Sequence, residues 1–67
     1  MGTESEIYRT ANLLVEEYGE MAAPAAFIRA DQMYERGDMP GRRVWLRIAK
    51  IAKDLLSEHI PGSSSIH

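Results

Sequence analysis

Apolar residues recur along the chain in steps of three and four, in three blocks separated by glycines. In the first block Ile7, Ala11, Leu14, Val15 and Tyr18 fall on one helical face, with Tyr8 at its edge. Ahead of it, Thr3-Glu4-Ser5-Glu6 has the spacing of a capping box, which opens a helix. Gly19 follows Tyr18 and suits the left-handed position just past a helix end. The pattern predicts a first helix over about Glu4 to Tyr18.

In the second block Ala22, Ala26, Ala30 and Met33 line one face, which Ala23, Phe27 and Tyr34 widen. Glu20-Met21 reads as a tight connection before it. Pro24 fits the first turn, where its missing N–H costs nothing. Gly37 ends this helix as Gly19 ends the first. So many alanines predict a close approach of this helix to its neighbours.

In the third block Asp38 is a good N-cap and Pro40 sits within the first turn. Val44, Ile48, Ile51 and Leu55 form one row and Trp45, Ala49, Ala52 and Leu56 the next, predicting a helix over about Met39 to Glu58. The stretch from Pro61 to Ser65 cannot continue it. No stretch alternates with period two, so no strand is expected.

Three amphipathic helices with short connections predict an all-α protein: an antiparallel three-helix bundle over residues 1–60, with a flexible C-terminal tail at 61–67. The expected core is Ile7, Leu14, Tyr18, Ala26, Phe27, Ala30, Met33, Val44, Trp45, Ile48, Ile51, Ala52 and Leu55.

Composition sharpens this picture. Sixty-seven residues allow one core and no second. A hydrophobic share of 45% is that of a folding chain. With no cysteine there is no disulfide framework and no thiolate metal site, so packing or association must hold the fold. Surface scaling gives roughly 6,700 Å² buried on folding, worth about 100 kcal/mol if about 60% of it is apolar. Ordering the chain at about 1.5 kcal/mol per residue costs nearly the same. Self-association would add burial to this near-balance.

Function is expected in what the core leaves out. Each helix carries one large aliphatic residue on its polar side, Leu13, Ile28 and Leu46. Scattered exposed apolar residues are ordinary on proteins, but together these three suggest a contact surface. Tyr8 and Tyr34 sit at face edges and suit rim contacts, whereas Trp45 reads as a core anchor. Residues 1–20 hold five Glu against Arg9 alone, while Arg42, Arg43, Arg47, Lys50 and Lys53 make the last third basic. That basic side can complement the acidic first helix, or serve as a recognition helix in helix-turn-helix order. A net charge of −2, and Met-Pro-Gly where base-reading side chains would sit, disfavour nucleic acid.

Enzyme chemistry has little foothold. His59 and His67 are the only histidines, and neither is paired with a carboxylate and a hydroxyl at a usable spacing. Ser63-Ser64-Ser65 fall in the expected tail, where near-attack geometry cannot be held. Glu16, Glu17 and Glu20 group at helical spacing, as a solvated face does. Gly37-Asp38-Met39-Pro40-Gly41 lacks the Lys-Ser/Thr of a phosphate loop. No catalytic, cofactor or metal residues are expected. The acidic opening does not read as a targeting segment, and Met21 to Ile28 is too short to span a bilayer, so the cytoplasm is the expected location.

The order Ala11, Leu14, Tyr18-Gly19, Ala22, Ala26, Arg29-Ala30, Gly37-Asp38, Gly41, Trp45, Ile48 and Leu55 resembles the pattern of a family of very short proteobacterial helical proteins. The likeness covers about residues 7 to 56. It implies a small cytosolic helical protein and carries no activity onto these residues. The expected role is non-enzymatic: contact with protein, either a partner or a second copy in a homodimer. Leu13, Ile28, Tyr34, Arg43, Leu46, Arg47 and Lys50 would carry the contact, and a small DNA-binding regulator using the third helix is the alternative.

Overall fold

The computed structural model describes residues 3–59, with side chains through Ser57. The expected tail at 61–67 lies outside the described residues, as do His67, Ser63-Ser64-Ser65 and the side chain of His59. The chain is all-α. Helix α1 spans Glu4–Tyr18, α2 spans Ala22–Glu35 and α3 spans Met39–His59. Gly19–Met21 forms a single 3-10 turn between α1 and α2. Helical residues therefore run unbroken from Glu4 to Glu35, and the first expected connection is not a loop.

Local chemistry sets each boundary. The Glu6 backbone N–H donates to Thr3 Oγ1 at 3.2 Å, capping α1. Gly19 closes α1 at φ +55°, its N–H donating to the Val15 carbonyl. At the end of α2, Asp38 N–H reaches the Met33 carbonyl and Gly37 N–H the Tyr34 carbonyl. With Gly37 at φ +78°, this is a Schellman closure. Asp38 then caps α3, its Oδ1 accepting from Gly41 N–H at 2.9 Å. A Cβ on residue 41 would stand 2.6 Å from Asp38 Oδ2, so the cap needs glycine there.

Three contacts fix the register. Arg42 lies over the Tyr34 ring and Arg29 over the Trp45 ring, which makes α2 and α3 antiparallel. Glu4 pairs with Arg47, setting the start of α1 beside the middle of α3.

The core is small. Buried apolar residues are Ile7, Ala11, Ala22, Ala23, Ala26, Ala30, Ile48, Ala49, Ala52 and Leu55, most of them alanine. Of the expected core, Ile7, Ala26, Ala30, Ile48, Ala52 and Leu55 are buried. Leu14, Met33, Val44, Trp45 and Ile51 are only partly so. Tyr18 and Phe27 depart from expectation, each 50% exposed. Alanines at the helix seams bring the backbones together and leave no space for a ring. Phe27 stays at the edge of α2, and Tyr18 is the last residue of α1, where the chain turns away. Leu46 departs in the other direction: it is partly buried rather than a free aliphatic on the polar side. Arg42, Arg43 and Lys50 are its neighbours at three and four residues, and stems of that length shield an apolar side chain.

Candidate interaction surface

What distinguishes this surface is which side chains it displays. Tyr8, Leu13, Tyr18, Met21, Phe27, Ile28, Tyr34 and Met39 all stand exposed, while every alanine but Ala25 is buried. Leu13 is 52% exposed, Ile28 60% and Tyr34 58%. Arg43, Arg47 and Lys50 are exposed on α3.

These residues do not form one patch. The Glu4–Arg47 pair puts the start of α1 at mid-α3, and Leu13 lies nine residues further along α1. Tyr34 lies near the opposite end, at the α2–α3 corner. Ile28, on α2, falls on the side opposite the buried row Ala22, Ala26 and Ala30, by helical period. Tyr34 holds Arg42, the chain neighbour of Arg43, against its ring at 5.5 Å. Arg47 is engaged by Glu4 on α1, and Lys50 approaches Asp54 at 3.9 Å one turn on. All four partners of these two pairs are more than half exposed, so both pairs are weak fasteners in water.

The sequence reading missed the extent of one region. Between residues 31 and 47 nothing is buried, although Met33, Tyr34, Met39, Val44, Trp45 and Leu46 lie there. A shallow concavity lined by Asp38, Pro40, Gly41 and Val44 opens at the same end. The available signal was helix length: α1 has 15 residues and α3 has 21. A first helix shorter by six residues falls about 9 Å short of covering the third.

For other chemistry the arrangement offers little. Among the described residues no three His, Asp or Glu gather as a metal site. None of the described helices is long and apolar enough to cross a membrane. On the basic side of α3, Met39-Pro40-Gly41 fills the first turn, where a recognition helix presents its reading side chains. No family model matches the chain, and neither the curated proteins nor the solved structures compared with it give a significant match.

Proposed function

We propose that this chain is a non-enzymatic interaction module, an antiparallel three-helix bundle that works by contacting another protein molecule. One observation carries the reading: most of the buried residues are alanine, while Tyr8, Leu13, Tyr18, Met21, Phe27, Ile28, Tyr34 and Met39 stand exposed. A monomer stabilised for its own sake would place its rings in the core, where each buries on the order of 150–250 Å². Displayed Tyr, Phe and Met are what the centres of protein interfaces use. Ile28, Tyr34 and Leu13 offer apolar contact on separate parts of the surface, with Leu46, Arg43, Arg47 and Lys50 on α3 adding apolar and charged contact there.

Affinity capture in lysate of the source cell tests this, with the wild type compared against Ile28→Glu and Tyr34→Glu. Both positions are exposed, so both variants keep their helicity. The wild type retains a protein, its own untagged copy or another, that at least one variant loses. Equal retention by all three baits overturns the reading.

A further inference from the structure

Charge is divided unevenly in this fold. Helix α3 holds five Arg and Lys against Asp54 and Glu58, while the remaining residues hold eight Asp and Glu against three Arg. Arg43, Arg47 and Lys50 recur at steps of four and three, so they fall within about 60° of one another around the helix. All three are exposed. By helical period Arg43 and Lys50 lie on the side opposite the buried Ala52, so neither α1 nor α2 covers them.

The fold leaves most of this charge unspent. Among the described residues, the carboxylates that reach the row are Glu4, paired with Arg47, and Asp54, 3.9 Å from Lys50. No carboxylate pairs with Arg43 among them. Both pairs are exposed and weak, so they give way to a better-placed anion. Apolar groups flank the cations: Met39, one turn before Arg43, is exposed, and Leu46, one turn before Lys50, is partly buried.

Two features select the anion. The first is length. Cationic positions run from Arg42 to Lys53, about 16 Å of helix, and Asp38 and Asp54 bound them. A duplex carries about one charge per 1.7 Å and extends past such a row at both ends, into those carboxylates. A segment of about three helical turns does not. The second is the apolar flank. Met39 and Leu46 can be met by the apolar side chains of a protein segment, and a phosphate backbone has none to offer.

Resting on the reading that this chain contacts protein, we propose that the outer face of α3 binds an acidic helical segment of its partner. Carboxylates at four- and three-residue steps meet Arg43, Arg47 and Lys50, and an apolar side chain meets Leu46.

Fluorescence anisotropy of a labelled helical peptide of about 20 residues tests this on the full chain. The peptide carries Glu at those steps with Leu between them, and a twin carries Gln in place of every Glu. The wild type binds the Glu peptide at least about tenfold more tightly than the twin, and added salt weakens the binding. Arg43→Glu and Lys50→Glu each weaken it about fivefold or more. Arg9→Glu makes the same change in net charge at an exposed site on α1 and leaves binding at the wild-type level. Circular dichroism shows equal helicity for all four proteins. Equal binding of the two peptides, or binding of neither, overturns the proposal. So does a loss with Arg9→Glu as large as with Arg43→Glu, or tighter binding of a short DNA duplex than of the peptide at the same salt. None of these results touches the capture contrast at Ile28 and Tyr34, which both lie on α2.

Discussion

Glu4, the first residue of α1, is ion-paired with Arg47 in the middle of α3. The pair sets the start of α1 beside the middle of α3. On one side of it lie all the buried residues of α3, and on the other only partly buried or exposed ones. Its importance is positional, because both side chains are more than half exposed. Glu4→Ala and Arg47→Ala should each lower stability by less than about 1 kcal/mol. Urea unfolding of both single variants and the double variant measures the coupling, which should fall as salt rises.

The alanine seam predicts the opposite scale of effect. Ala26 and Ala49 are fully buried on facing helices, with α2 and α3 running antiparallel. Ala26→Leu or Ala49→Leu should push the helices apart and cost about 1–3 kcal/mol or more. Ile28→Ala, at a residue 60% exposed, should change stability by about 0.5 kcal/mol or less. Thermal unfolding of the three variants side by side checks the contrast.

At the α3 cap, Asp38→Ala should cost about 1 kcal/mol through loss of the bond to Gly41 N–H. Gly41→Ala gains helix propensity but forces its Cβ against the Asp38 carboxylate. The two changes should therefore be non-additive: Gly41→Ala is more favourable in the Asp38→Ala background than in the wild type. A double-mutant cycle in urea reads this directly.

Gly37 holds φ at +78° in the Schellman closure between α2 and α3. Nothing crowds the position, so Gly37→Ala meets backbone strain alone. It should destabilise by about 1–2 kcal/mol, while Gly37→Asn, whose side chain tolerates the left-handed region, should cost less. Midpoints of denaturant unfolding for the two variants decide it.

Much of this fold was legible in the sequence. Thr3, Gly19, Gly37 and Asp38 are local signals, and each sits where the chain's own backbone chemistry demands it. The helical rows correctly placed Ile7, Ala26, Ile48 and Leu55 inside. Phe27 and Tyr18 were misplaced because periodicity reports direction and not depth. A ring pointing toward a neighbour stays outside when alanines have closed the gap. Leu46 was misplaced for a related reason, since a wheel gives no weight to long charged neighbours. The helical rows did not show that nothing between residues 31 and 47 is buried, although the difference in length between α1 and α3 was an available signal.

Contact of the exposed Ile28 and Tyr34 with another protein molecule is tested most directly by affinity capture with the wild type, Ile28→Glu and Tyr34→Glu as baits. The wild type should retain a protein that at least one variant loses, with far-ultraviolet circular dichroism equal for all three. Equal retention by the three baits would contradict it.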